Sequence, residues 1–177
     1  MQHSLSLKAD PDKCATVAHQ GKLGPDELFE DHFDAVHRYF SRRVSTPDDA
    51  QDLTAETFAA TVGAKVPRNV EPLSWLYGIA RRKLADHLRR QKRAGVHGPE
   101  PAVHSISERA IAVREWVEAL PADQREALLL QALEDLSVQQ IAHVMHRSPG
   151  SVKALLQRAK ERVRLESRME LQVEETR

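Results

Sequence analysis

Wherever this chain shows a hydrophobic period the period is helical, and nowhere do apolar and polar residues alternate in the two-residue pattern of a half-buried strand. That confines its 177 residues to helix packed on helix. From Pro25 to about Val44, Phe29, Phe33, Val36 and Phe40 recur at helical spacing behind an acidic first turn that suits the helix dipole. Ser45-Thr46-Pro47 then breaks and restarts the chain, with Thr46 as N-cap and Pro47 in the first helical position. The second helix, PDDAQDLTAETFAATV, turns Ala50, Leu53, Thr57 and Phe58 inward and keeps its acids outside. After the loop GAKVPRNVE, a third helix begins PLSWLYG and buries Leu73, Leu76, Ala80, Leu84 and Leu88.

Beyond Arg93 the period is lost in AGVHGPEPAVHSIS, whose two Gly and two Pro mark a flexible linker over 94–107. Helical patterning returns in SERAIAVREWVEAL, in the segment opened by Pro121 (PADQREALLLQALEDL), in SVQQIAHVM, and in PGSVKALLQRAKERVRLESR. The expected fold is therefore all-α, with two small helical domains joined by that linker, the first over 25–93 and the second over 108–165. Residues 1–24 are polar and aperiodic and read as a mobile arm, and 166–177 read as a C-terminal tail. The arm lacks the apolar core of a signal peptide, and no run approaches the roughly 18 apolar residues of a membrane span. Cys14 is the one cysteine, so no internal disulfide is possible and a reducing compartment is the natural one. The chain is expected to be soluble and cytoplasmic, without membrane insertion.

Charge is sorted along the sequence although 26 basic and 26 acidic residues cancel in sum. Arg81 to Arg93 holds seven Lys or Arg against Asp86 alone, and Arg147 to Arg164 holds six against Glu161 alone. Acids gather elsewhere, in Asp26, Glu27, Glu30, Asp31 and Asp34 and again in Asp48, Asp49, Asp52 and Glu56. Two separated basic helices suit two contacts with a polyanion; the acidic faces suit a basic protein partner or simple solvation. The second basic run lies in a helix-turn-helix pattern. Ile141, Ala142 and Met145 face inward on a short helix, HRS makes a tight turn, and Ser148 caps a helix started by Pro149. That helix buries Val152, Leu156, Ala159 and Val163, leaving Ser151, Lys153, Leu155, Gln157 and Arg158 outside or flanking.

Three linked segments, YFSRRVSTPDDAQDLTAETF, PLSWLYGIARRKLADHLRR and ALPADQREALLLQALEDLSVQQIAHVMHRSPGSVKALLQRAKERVR, resemble the bacterial RNA polymerase sigma factors of the extracytoplasmic-function (ECF) group, in order and spacing over about residues 25–165. The resemblance implies a first domain (region 2) that binds the polymerase core and the minus-ten promoter element, and a second (region 4) that binds the minus-thirty-five element. Asp49, Asp52, Leu53, Glu56, Thr57 and Phe58 match the family's polymerase-binding segment, which docks on a basic coiled coil. By the same resemblance Lys65, Arg68 and Asn69 lie in the loop that captures an unstacked base, and Arg81, Arg82, Lys83, Arg89 and Arg90 face minus-ten DNA. Ser148, Ser151, Lys153, Leu155, Gln157 and Arg158 fall on the minus-thirty-five reading helix. The implied partners are RNA polymerase core, promoter DNA and an anti-sigma factor. The sequence departs from the family at Gly78, where Arg is frequent, and at Ala154-Leu155, where a Ser-Arg pair is common.

No catalytic pattern is present: there is no Gly-rich phosphate loop, no G-x-S-x-G and no H-E-x-x-H. His143 and His146 are spaced i, i+3, but no acid or cysteine completes a zinc set, so no metal, no cofactor and no enzymatic activity are expected. Two other functions fit parts of the chain, a stand-alone helix-turn-helix regulator and a sigma-like decoy that binds polymerase or an anti-sigma factor without promoter activity.

Overall fold

A computed structural model describes residues 24–95 and 108–175. The N-terminal arm up to residue 23, with Cys14, and the linker over 96–107 lie outside the described residues. The described residues form seven helices: α1 (Pro25–Ser41), α2 (Pro47–Ala59), α3 (Pro72–Ala94), α4 (Glu108–Glu118), α5 (Ala122–Leu133), α6 (Val138–Met145) and α7 (Pro149–Glu175). The first three pack on one another, and α7 lies against α4, α5 and α6 in a second group. The two groups meet along α3 and α6.

Local chemistry fixes the helix ends. The Thr46 hydroxyl accepts the Asp49 N–H at 3.1 Å, as an N-cap should, and donates to the Asp49 carboxylate at 2.7 Å. Glu71 caps α3 by accepting the amides of Leu73 (3.2 Å) and Ser74 (2.8 Å), and Gly95 ends that helix at φ 68°, a left-handed turn that glycine adopts without strain. Ser137 and Gln140 form a reciprocal capping box at the start of α6, and Ser148 Oγ accepts the Ser151 N–H at 3.2 Å at the start of α7. Between them His146 holds φ 52° and closes the three-residue turn.

The α2 stripe of Ala50, Leu53, Thr57 and Phe58 is buried as expected, joined by Thr54, whose hydroxyl returns to the Ala50 carbonyl at 2.6 Å. In α1 the expected stripe is rotated. Leu28, Val36, Tyr39 and Phe40 are buried, while Phe29 is 45% exposed and Phe33 half-buried, the two stacking with Phe58 near the surface. The aromatic spacing in α1 hid the small shift of the core face toward Tyr39, which the second helical group covers. Leu88, expected to be buried, is exposed; its neighbour His87 already faces Asp49 in the first turn of α2, where that helix begins. Val163 is only half-buried, and α7 continues as helix to Glu175 through most of the stretch read as a tail.

One buried apolar cluster runs from Leu28 in α1 to Leu156 in α7 without a break between the two groups. Charged and phenolic side chains line the seam. Arg43 and Glu134 pair at 2.9 Å with side chains only 7% and 1% exposed. Arg43 also lies 3.8 Å above the Tyr39 ring, a cation–π contact. Tyr77 donates its phenol to the second Glu134 oxygen and Tyr39 donates to Glu126, both at 3.2 Å, and Arg42 reaches the Leu133 carbonyl at 3.0 Å. Burial first, and the neighbouring carboxylate next, push both phenols well above their ordinary range, so they stay protonated donors.

Candidate nucleic-acid interface

The second half of α3 is a basic helix with an unequal distribution of partners. Lys83 reaches Glu56 of α2 at 3.1 Å, and His87 lies 3.7 Å from Asp49, too far for a hydrogen bond. Two of the acids expected to stay outside on α2 are thus half-buried against α3, whereas Asp48 and Asp52 are exposed. Arg81 lies 3.9 Å from Asp123 of α5, and Arg82 donates to His146 Nε2 at 2.6 Å. Arg89 pairs with Asp86 on its own helix. Arg90, Lys92 and Arg93 project beyond the bundle, and with Arg89 and Asp86 they line a shallow concavity. Lys65, Arg68 and Asn69 are all exposed in the loop before α3, at its entry rather than beside this cationic end.

On α7, Lys153, Gln157 and Arg158 are exposed and Ser151 is half-exposed. Ser148 is exposed at the cap, its oxygen engaged by the backbone and its hydroxyl hydrogen still able to donate. Leu155 is half-buried and packs against the core. Lys153, Gln157, Lys160, Arg164 and Arg168 follow at helical spacing along one groove beside Gln131 and Val138. Both candidate DNA surfaces are therefore helices with one face in a core and cations on another, the arrangement that neutralises phosphates.

The acidic helix divides in the same way. Asp52 is exposed, Asp49 and Glu56 are half-buried, and Leu53, Thr57 and Phe58 lie in the core. Trp75 is half-buried at the start of α3 and Tyr77 is enclosed in the seam. Sequence reasoning did not mark Arg43, Glu134 or Glu126; each is a single charge in an ordinary helical context, and only the packing of distant helices gives it a role. Among the described residues no three His, Cys, Asp or Glu side chains are grouped to hold a metal ion, and no helix is long and apolar enough to cross a membrane.

Two helical groups, one ending in a basic helix and the other in a helix-turn-helix, have the charge and motif pattern of a nucleic-acid-binding protein. Family models for sigma-70 region 2 and sigma-70 region 4 match residues 28–94 and 110–163. The chain is 34% identical over 135 residues to the ECF RNA polymerase sigma factor SigC of Mycobacterium tuberculosis, covering 69% of this chain and 72% of that one. It is 32% identical over 149 residues to the ECF sigma factor BldN of Streptomyces coelicolor, covering 75% of this chain but only 56% of BldN. Against the ECF sigma factor SigM of Bacillus subtilis it is 26% identical, over 78% of this chain and 92% of SigM. The chain belongs to the ECF RNA polymerase sigma factors. Its fold is similar to that of the sigma factor RpoE in complex with the anti-sigma factor NepR from Bartonella quintana, with a TM-score of 0.64 at 21% identity over 81% of this chain and 96% of that one. It is also similar to CnrH in complex with the cytosolic domain of CnrY, with a TM-score of 0.56 at 21% identity over 80% and 85% of the two chains. The region 2 match over α1–α3 disfavours a stand-alone helix-turn-helix regulator, which would need only α4–α7.

Proposed function

We propose that this ECF sigma factor binds RNA polymerase core through α2, engages the minus-ten element with α3 and the loop before it, reads the minus-thirty-five element with the first turns of α7, and so directs transcription initiation. The observation that carries this reading is the placement of two cation-bearing helices, one in each sigma-region match, with a separate acidic face on α2. Asp52 makes the exposed centre of the polymerase contact; Asp49 and Glu56 flank it, while Leu53, Thr57 and Phe58 act from beneath by fixing the helix in its core. Arg89 and Arg90, joined by Arg81, Arg82 and Lys83, neutralise the minus-ten backbone. Lys65, Arg68 and Asn69 hold an unstacked base, Asn69 offering both a donor and an acceptor. Lys153 and Arg158 supply charge at the minus-thirty-five element, the serines donate to phosphate, and Gln157 reads a base edge, with adenine its natural bidentate partner. Leu155, packed at the helix flank, contributes at most an apolar edge.

The chain performs no polymer chemistry of its own; nucleotide addition belongs to the polymerase. It works in the cytoplasm, and an anti-sigma factor holds it off the polymerase. Transcription with purified core polymerase tests the reading: the chain should confer initiation from its promoter where core alone gives none. Asp52→Lys with Glu56→Lys should weaken core binding at least tenfold, since charge complementarity of this kind steers and holds a docked helix. Unchanged affinity with normal helicity would remove α2 from the interface.

A further inference from the structure

Arg147 occupies the turn of the helix-turn-helix, directly before the Ser148 cap of α7 and outside the stretch from Ser148 to Arg158 that reads the minus-thirty-five element. Its backbone is fixed. The Arg147 N–H donates to the Ala142 carbonyl at 2.9 Å and closes α6 behind the left-handed His146. Its side chain is held as well. Nη2 pairs with one oxygen of Asp123, and Asp123 sits in the first turn of α5, where a carboxylate suits the helix dipole. Because α5 packs on both α6 and α7, the two ends of this pair belong to one helical group.

An exposed ion pair of this kind adds little to stability. The two side chains are 40% and 43% exposed, so the consequence of the pair is geometric rather than energetic. A long side chain held in one rotamer before binding avoids the ordering cost that a free arginine meets on contact. Lys153 and Arg158, in contrast, extend into solvent from exposed positions. Among the described residues the Arg147 guanidinium is engaged through Nη2 alone, which leaves Nε and Nη1 as charged donors. Such donors make short, strong bonds to phosphate oxygens.

We propose that Arg147 is a phosphate-binding residue of the minus-thirty-five contact, gripping the DNA backbone at the turn that leads into α7, and that Asp123, on another helix, is the positioning residue that holds its guanidinium ready. The inference rests on the minus-thirty-five reading of α7 given above and extends it to two residues outside that helix. Ser148, whose hydroxyl hydrogen is still able to donate, is the next residue in the chain and addresses the same stretch of backbone. Phosphate contacts set register and orientation and carry no sequence preference. Arg147 therefore fixes how α7 sits in the groove, and the base edges are left to Gln157.

Charge makes the role of Asp123 decidable. A carboxylate near DNA repels phosphate, so simple electrostatics has its removal tighten binding. A carboxylate that holds Arg147 has the opposite effect: its removal weakens binding although the chain becomes more positive. Arg81 of α3 lies 3.9 Å from the other Asp123 oxygen and faces the same carboxylate, so it is controlled by substitution.

The test uses the full-length chain and a duplex that the native chain enriches from a random-sequence library. Arg147→Gln should bind this duplex about tenfold more weakly, as expected for loss of a charge-assisted bond. The slope of log affinity against log salt should become shallower by ~0.9, and the same sequence should still be enriched. Arg147→Lys, which keeps the charge without the planar fork, should keep the slope and recover only part of the affinity. Asp123→Ala should lower affinity about threefold, and in an Arg147→Gln background the same change should raise it, a coupling that a carboxylate merely near DNA does not produce. The reversal should persist with Arg81→Gln. Asp123→Ser, which suits a helix start but is too short to reach Arg147, gives the same comparison if Asp123→Ala lowers helicity. Full affinity in folded Arg147→Gln, or a loss with unchanged salt slope, removes Arg147 from the DNA contact. Tighter binding by Asp123→Ala with Arg147 present, or a reversal that vanishes with Arg81→Gln, overturns the positioning role. If the native chain enriches no sequence, the minus-thirty-five reading fails, while the Arg147 comparison on the unselected pool still decides the phosphate contact.

Discussion

His146 shows how one residue can serve the turn and the seam together. It holds the left-handed conformation that closes the helix-turn-helix, and its Nε2 accepts from Arg82, which requires a neutral ring protonated on Nδ1. Partial burial, then Arg82, then His143 and Arg81, lower its proton affinity below that of a free histidine. The docked form therefore binds fewer protons here than the undocked one. Its contribution to docking is complete above the ordinary histidine range near pH 6.5 and is lost as pH falls below it. Between about pH 8 and about pH 5.5, energy transfer between dyes on Glu30→Cys in α1 and Gln139→Cys in α6, both exposed, should decline. The informative quantity is the part of that decline removed by His146→Asn, which tolerates the same backbone conformation without titrating. Identical profiles for the two chains would show that Arg82 and His146 do not contribute to docking.

Among the helices, α3 shows what the sequence could and could not convey. Its capped start, its core positions Leu76, Ala80 and Leu84, and its cationic end all follow from spacing and residue type, and the structure places them so. Leu88 misled because a leucine at the right spacing carries no information about how far the partner helix extends beside it. The α1 stripe misled for a related reason: Phe29 and Phe33 keep helical register, but Tyr39 is buried by helices that lie far away in sequence. Gly78 is a departure whose cost can be measured. It is buried in mid-helix, and a Cβ built there would meet no side chain or neighbouring helix within 4 Å. Gly78→Ala should accordingly stabilise the chain by about 0.5–1 kcal/mol, through helix propensity and a less flexible unfolded state. A rise in melting temperature of roughly 1–4 °C would register it. A fall would mean that this part of α3 is more tightly packed than the free space around Gly78 indicates.

At the level of the whole molecule, the division into two helical groups, the helix-turn-helix and the family were legible, because each rests on contacts local in sequence or on motifs. The docking of the groups was not. Arg43 and Glu134 stand 91 residues apart, and nothing in either neighbourhood distinguishes a buried, paired charge from a solvated one. Their chemistry does allow the seam to be strengthened as well as broken. Replacing a buried ion pair by apolar side chains of similar volume is often neutral or stabilising by ~1–4 kcal/mol, because the desolvation cost disappears with the charges. At this seam the replacement must include Tyr77, whose phenol would otherwise lose its acceptor. The combined change Arg43→Met, Glu134→Leu and Tyr77→Phe should hold the two helical groups together at least as firmly as the native seam, now without the unpartnered Nε and Nη2 of a buried guanidinium. It should retain high energy transfer, and it should lower initiation with core polymerase even though none of the three side chains is assigned to polymerase or DNA. Raising the polymerase concentration should recover activity in part, since a partner that binds the open form draws the equilibrium by mass action. A folded triple variant that is closed yet initiates as well as the native chain at limiting polymerase would show that opening costs the sigma factor nothing, and that the seam is packing rather than control.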